Sequence, residues 1–110
     1  QKLELEFEEV NSEKRLHYHL AASFANNFTN HILSLTDELI NKFKLEKKFF
    51  IPIAYETFKN FQSNKSKESQ TGPAVRNDVK TLKKHEEILK KSNYLNLYKI
   101  ITKSIKKNDL

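Results

Sequence analysis

The 110-residue sequence contains no cysteine, methionine or tryptophan, and it has only one glycine and two prolines. Without cysteine the chain forms no disulfide and offers no thiol chemistry, so nothing argues for secretion. No signal peptide or lipidation motif is visible, and we therefore expect a cytoplasmic protein. Because the chain begins at Gln1 and lacks methionine, we expect it to be a piece of a longer protein.

Signatures of catalysis and metal binding are also missing. The sequence has no glycine-rich phosphate loop, no nucleophile elbow and no paired carboxylates on its predicted inward faces. Among the histidines, His17 and His19 would lie on opposite sides of a helix, and His31 would be about four turns from His17, so no pair has chelating spacing. We predict no metal site, and we expect that this chain alone catalyses nothing.

Charged residues are absent from residues 16–36, LHYHLAASFANNFTNHILSLT, although 31% of the chain is charged. A helix over this stretch would be about 30 Å long, the width of a small domain or of a bilayer. Amides and imidazoles within it argue against a membrane span, because each would need a partner in lipid. We therefore predict a long helix buried by protein, beginning at Asn11 or Ser12 and ending near Lys44.

Two stripes follow this predicted helix at steps of three and four residues. The apolar stripe consists of Leu16, Leu20, Phe24, Phe28, Ile32, Leu35, Leu39 and Phe43. The polar stripe consists of His19, Ser23, Asn26 or Asn27, Asn30, Ser34 and Asp37. If the polar stripe is covered, its groups need hydrogen-bond partners, so it either packs on a partner or lines a site. Asparagine forms helices poorly, and a bend or break is in keeping with the Asn26-Asn27 pair.

Three shorter helices are predicted downstream. The first starts near Lys47 or Lys48, which puts Pro52 in its first turn, where a missing N–H does no harm. Residues 62–77 are predicted to form a solvated loop that contains the only glycine. Asp78 then caps the next helix, which ends at Ser92 or Asn93, and a last helix follows.

These elements predict an all-α fold, a bundle of about four helices around a long buried first helix, in a domain of residues 11–110. Residues 1–10 are predicted to be a short extended segment, because Leu3, Leu5 and Phe7 alternate with glutamates. A lone strand is unstable, so the rest of its sheet is expected in missing sequence or in another subunit. We interpret this segment as a connecting strand from a missing N-terminal domain.

The net charge is +6, from 20 basic and 14 acidic residues, which suggests nucleic acid or an anionic surface as a partner. The lysines are scattered over predicted outer faces, where a solvated surface is their commoner role. Arginine, which makes bidentate contacts with bases, occurs only at Arg15 and Arg76. A basic nucleic-acid-binding module is therefore a disfavoured interpretation.

Two residues have more than one interpretation. The Arg76 guanidinium is suited to bidentate binding of a carboxylate or phosphate, and the alternative is an internal salt bridge to Asp78 or Asp37. His19 is either a satisfied core imidazole or part of a ligand pocket.

Two motifs carry a resemblance to a known family: HLAASFANNF at residues 19–28 and TGPAVRND at residues 71–78, with His85 one helix later. The sequence resembles, over nearly its whole length, the helical C-terminal domain of unknown function that follows a Rossmann-like NAD(P)-binding domain in bacterial proteins classed as oxidoreductases. The resemblance implies the architecture of 6-phosphogluconate dehydrogenase and pyrroline-5-carboxylate reductase. In those enzymes the helical domain builds the dimer and closes the substrate cleft over the nicotinamide.

The resemblance further implies that NAD(P) binds to the missing N-terminal domain and that this chain holds no cofactor of its own. Related hydroxyacid dehydrogenases have a lysine one turn before an asparagine. Asn27 matches that asparagine, but Ser23 stands at the lysine position, which puts lysine-assisted proton transfer in doubt.

The residues and the resemblance together suggest a site for a small-molecule substrate. Thr71, Gly72 and Arg76 would bind an anionic substrate group or a cofactor phosphate, and Asp78 would cap its helix and hold Arg76. His19 and Asn27 would orient the reacting carbonyl or hydroxyl.

A second explanation needs no substrate. The polar stripe would instead be a subunit interface, and the chain a purely structural helical oligomerisation domain. A homodimer is expected under either explanation.

Overall fold

The computed structural model describes residues 11–107, and the regular structure in that range is helical. We label four helices in chain order: α1 covers residues 12–43, α2 is Ile51–Gln62, α3 is Val79–Leu89 and α4 is Leu95–Lys107. The predicted all-α class and the four predicted helices are confirmed. The extended segment predicted for residues 1–10 lies outside the described residues.

Helix α1 runs for 32 residues in three consecutive segments, α-helical at Ser12–Ala22, π-helical at Ser23–Phe28 and α-helical again at Thr29–Phe43. Its first turn is capped by Asn11, whose side-chain oxygen accepts a hydrogen bond of 2.8 Å from the Lys14 N–H. Its last turn ends at Lys44, which adopts the left-handed conformation with φ of +54°. Both ends therefore agree with the prediction.

The π-helical segment replaces the bend predicted near Asn26 and Asn27. The chain stays helical there, but the turn widens to pair each N–H with a carbonyl five residues back. Two hydroxyls bond to carbonyls around this segment, Thr29 Oγ1 to Phe24 O at 2.6 Å and Ser23 Oγ to His19 O at 3.2 Å. The poor helix formers are thus accommodated without breaking the helix.

The burial predicted for the first helix is found only at its C-terminal end, where Leu35 and Ile40 are buried. Residues 11–21 and 24–34 are exposed in this chain. Leu16, Leu20 and Phe24 keep 67%, 60% and 63% of their surface accessible. The expectation of a buried helix is corrected for this chain, because missing charge indicates a covered surface without requiring the cover to come from the same chain.

The chain divides into two compact units, Gln1–Ile53 and Ala54–Leu110. In the second unit Asp78 caps α3 as predicted, and the Ser92 hydroxyl donates to Leu89 O at 2.8 Å where α3 ends. Helices α3 and α4 meet through a 2.7 Å hydrogen bond between His85 Nδ1 and Tyr98 Oη. Among the described residues of this unit, Ala74 and Leu82 are buried.

Helix α2 begins slightly later than predicted. Lys47–Phe49 forms a separate 3-10 turn, and the α-helix starts at Ile51, so Pro52 does occupy the first turn. Across the described range, none of the helices has the length and apolar character needed to cross a membrane.

Leu82 is the most buried large apolar residue of the second unit, with 5% of its surface exposed, whereas Ile100 is 67% exposed. We expect Leu82→Ala to lower the free energy of unfolding by about 2–4 kcal/mol, because it removes buried methyl groups and leaves a cavity. The matched change Ile100→Ala should alter stability by less than about 0.5 kcal/mol. Urea unfolding followed by circular dichroism measures both, and equal losses would contradict this account of the core.

Candidate functional site

The predicted site residues form two groups, one in each unit. His19 and Asn27 lie on α1, and Thr71, Gly72, Arg76 and Asp78 lie in the segment that leads into α3.

The segment of residues 72–78 is a folded turn. The Asp78 N–H donates to Pro73 O at 2.9 Å, and the Asn77 N–H donates to Ala74 O at 3.2 Å. Ala74 is buried, with 7% of its surface exposed, and it anchors the turn in the second unit. Because the backbone pairs with itself, the side chains of this segment are presented from a defined scaffold.

The only glycine of the chain allows this turn to form. Gly72 has φ of +104°, in the left-handed region that residues with a Cβ rarely adopt. A Cβ at Gly72 would meet no atom within 4 Å, so the need for glycine comes from backbone conformation and not from space. Thr71, beside it, is exposed.

Arg76 and Asp78 form the ion pair that the sequence offered as one alternative. Arg76 Nη2 lies 3.9 Å from Asp78 Oδ2, and the arginine side chain is 61% exposed. The other candidate partner, Asp37, pairs instead with Lys47 at 3.0 Å. A long, exposed ion pair contributes little stability, and it leaves most guanidinium donors of Arg76 facing solvent. Arg76 therefore remains able to bind an anion while Asp78 orients it.

The Asp78 carboxylate is mainly engaged by Thr81. Oδ1 accepts the Thr81 N–H at 3.1 Å, and Oδ2 accepts the Thr81 hydroxyl at 2.7 Å. These two bonds, the hydroxyl first, hold the pKa of Asp78 below its ordinary value; partial burial opposes them, and Arg76 and Lys84 add smaller lowering effects. Sequence reasoning selected Asp78 as a cap but missed Thr81, which stands three residues after the cap, the position whose side chain reaches back to the cap in a capping box.

On α1, His19 and Asn27 are both exposed, and Ser23 between them is half-buried. His19 is therefore not part of the core formed by the described residues of this chain. Asn27 lies inside the π-helical segment, so its amide projects from the widened turn. Residues 11–107 contain no group of three or more histidine, cysteine, aspartate or glutamate side chains able to hold a metal ion.

His85, the third part of the sequence resemblance, is held within the second unit. In addition to its hydrogen bond, its ring meets the Tyr98 ring edge-on, with centroids 5.7 Å apart. Burial, followed by the Glu86 carboxylate, raises the pKa of Tyr98, so the phenol stays neutral and keeps its hydrogen bond. The pair therefore links α3 to α4.

Comparison with known proteins gives a family match and a structural match. A family model described as "Domain of unknown function (DUF2520)" matches residues 1–105. The structure is similar to the crystal structure of a putative NADP oxidoreductase from Bacteroides fragilis, with a TM-score of 0.82 and 35% sequence identity over 89% of this chain. The match covers 38% of that protein's chain, so this chain spans well under half of its length. No curated protein matches.

Because the pKa of Asp78 is lowered in the folded chain, its carboxylate adds stability above the pKa of the unfolded state, and that stability is lost as pH falls through the lower folded-state pKa. We expect wild-type protein to lose more stability on acidification than Asp78→Asn, which keeps an acceptor oxygen but does not titrate. Thr81→Val should reduce the difference, because it removes the main cause of the shift. Urea unfolding between neutral and acidic pH tests this, and parallel pH profiles for wild type and Asp78→Asn would contradict it.

Proposed function

The chain belongs to the family described as "Domain of unknown function (DUF2520)", and we propose that it is the helical C-terminal domain of an NAD(P)-dependent oxidoreductase. In this proposal it closes a substrate cleft and forms a homodimer, and it is not active alone. A Rossmann-like domain of the same protein supplies NAD(P). The proposed location is the cytoplasm.

The observation that carries the proposal is the likeness to the Bacteroides fragilis protein, which is described as a putative NADP oxidoreductase. The matched region, with a TM-score of 0.82 and 35% identity, covers 89% of this chain but 38% of that protein's chain. We infer that the remaining part of such a protein binds the dinucleotide, and that the present domain supplies groups to the substrate. The helical domain lacks the glycine-rich turn that would cradle a pyrophosphate.

We assign anion binding to the segment before α3. The Arg76 side chain is 61% exposed and ends in a planar group of hydrogen-bond donors. Asp78 Oδ2 lies 3.9 Å from Arg76 Nη2, a distance at which the carboxylate can orient the guanidinium and leave its donors available. Gly72 gives the turn its shape, and Thr71 adds an exposed hydroxyl. This combination suits a carboxylate of a substrate or a phosphate of the cofactor.

We assign orientation of the reacting carbonyl or hydroxyl to His19 and Asn27. An exposed imidazole and an exposed amide supply both donors and acceptors. With Ser23 at the lysine position of the related hydroxyacid dehydrogenases, proton transfer assisted by lysine is not part of the proposal.

The exposed surface of α1 supports the dimer and also favours the second candidate function, a purely structural oligomerisation domain. Leu16, Leu20, Phe24 and Phe28 are each more than half exposed, and no charged residue lies among them. A two-fold interface brings identical residues together, so an uncharged surface avoids like-charge repulsion between copies.

The first test concerns Arg76 and Asn27 in the full-length protein. We expect Arg76→Ala to weaken NADPH binding or to raise the KM for carbonyl compounds bearing a carboxylate or phosphate, by about 10- to 100-fold. Asn27→Ala should lower turnover. Fluorescence titration with NADPH, and NADPH oxidation with a panel of such compounds, measure these effects.

Lys99→Ala is the control, since Lys99 is an exposed cation on α4 that is not assigned to the site. Affinity and turnover unchanged in both Arg76→Ala and Asn27→Ala would end the proposed site. NADPH binding absent from wild-type protein would favour the structural alternative.

The second test concerns the dimer. Phe24→Asp places a charge in the exposed apolar surface of α1 and should raise the dimer dissociation constant about 100-fold or more, because a charge buried without a partner is costly. Asn26→Asp, at an exposed position on roughly the opposite side of the helix from Phe24, should have a much smaller effect. Sedimentation equilibrium measures both, and a monomeric wild-type protein would refute the dimer.

A further inference from the structure

The apolar side chains at the start of α1 are spaced by four residues throughout: Leu16, Leu20, Phe24, Phe28 and Ile32. An α-helix has 3.6 residues per turn, so each four-residue step overshoots a full turn by about 40°. Four such steps would carry the set about 160° around a regular helix. A regular α-helix would therefore not keep these residues on one side.

The π-helical turn at Ser23–Phe28 corrects this drift. Its hydrogen bonds reach the fifth residue back, so the turn holds one residue more than an α-helical turn. The extra residue removes about 100° from the rotation that the four-residue steps accumulate. The apolar residues then stay within about a quarter of the circumference. Within the π-helical segment the Phe24 and Phe28 rings lie against each other edge to face, with centroids 5.0 Å apart, as side chains four residues apart also do on a regular α-helix.

The same correction acts on a second set of residues, also four apart, which we call the polar strip: His19, Ser23, Asn27 and His31. In a regular α-helix His31 would point about 120° away from His19. With one residue taken up by the π-helical turn, the angle falls to about 20–30°. His19, Asn27 and His31 are exposed, whereas Ser23 is half-buried and its hydroxyl donates to His19 O at 3.2 Å. The two imidazoles and the amide are therefore the accessible groups of the polar strip in this chain.

We propose that the π-helical turn is a one-residue insertion that keeps the polar strip straight, and that His31 belongs with His19 and Asn27 to one ligand-facing surface. This rests on the proposed function, because the ligand would be the substrate of the assembled oxidoreductase. Sequence reasoning did not select His31, because regular α-helical spacing placed it off the polar stripe.

The length and chemistry of the polar strip indicate the class of ligand. Its imidazoles are roughly 17 Å apart along the helix axis, with a hydroxyl and an amide between them at intervals of about 6 Å. These groups donate and accept hydrogen bonds and include no Lys, Arg, Asp or Glu. The strip is therefore suited to an extended molecule with hydroxyl, amide or carbonyl groups along its length, and not to a compact ion.

Thr29 is the positioning residue of this arrangement. In the widened turn its hydroxyl donates to Phe24 O at 2.6 Å, a carbonyl five residues back, and so supports the π-helical pairing. Thr36 makes the ordinary equivalent, to Ile32 O at 3.0 Å, in the regular part of α1. Thr29→Val should therefore speed amide hydrogen exchange at residues 23–28, whereas Thr36→Val should leave exchange there unchanged.

The decisive experiment changes the length of the helix by one residue in each direction, in the full-length protein. Deleting Ala25 lets the π-helical turn become α-helical without rotating the flanking segments. Inserting one alanine after Ala25 rotates them by about 100°. The probe is diethyl pyrocarbonate, with carbethoxylation of His19 and His31 followed by mass spectrometry.

In wild-type protein we expect His19 and His31 to be carbethoxylated at similar rates, because both are exposed and the proposal places them on the same side of α1. The deletion should keep the two rates similar and hold Tm within about 2 °C of wild type. The insertion should turn His31 about 100° away from His19, separate the two rates several-fold and lower Tm by about 5 °C or more. Wild-type rates that differ several-fold, or equal behaviour of the two length variants, would overturn the proposal. NADPH titration of the same preparations decides the oxidoreductase proposal separately, because the matched rates of the two histidines do not depend on NADPH binding.

Discussion

The mismatch between a four-residue repeat and a helix of 3.6 residues per turn governs the first unit of this protein. Apolar and polar side chains both recur every four residues from Leu16 to Ile32, and a regular α-helix would wind both sets around its axis. The π-helical turn at Ser23–Phe28 absorbs the accumulated rotation at the centre of the repeat. A π-helical turn is rare within an α-helix and is frequently found at functional sites, which is in keeping with the proposed role of this turn.

The second unit holds the flexible side chain of Arg76 on a defined turn. Gly72 permits the turn, Ala74 anchors it, and Asp78 is committed to Thr81 by two hydrogen bonds. Arg76 is then left with only a long contact to Asp78 and an exposed guanidinium. Breaking the Arg76–Asp78 ion pair to bind an anion costs little free energy, because neither side chain is buried and the backbone of the turn does not have to move.

Few residues are buried within the described part of this chain. The family match, and the likeness to part of a putative NADP oxidoreductase, offer an explanation, because other parts of such a protein would supply the missing contacts. A helix without charge over 21 residues is suited to being covered. Here its surface is exposed, and in the proposed protein a second copy and a dinucleotide-binding domain would cover it. The polar strip would then be the part of α1 that contacts a ligand.

The sequence by itself determined the helical class, the caps at Asn11 and Asp78, the end of α1 at Lys44 and the special conformation at Gly72. These features depend on residues a few positions apart, and local hydrogen bonding and steric preference are readable at that range. Only the tertiary structure decided that α1 passes through a π-helical turn, that Arg76 pairs with Asp78 and not Asp37, and that most of α1 is exposed. The absence of charge over residues 16–36 of α1 indicates that this surface is covered by other atoms. Which atoms cover it depends on distant residues or on other molecules, and no local sequence pattern encodes that.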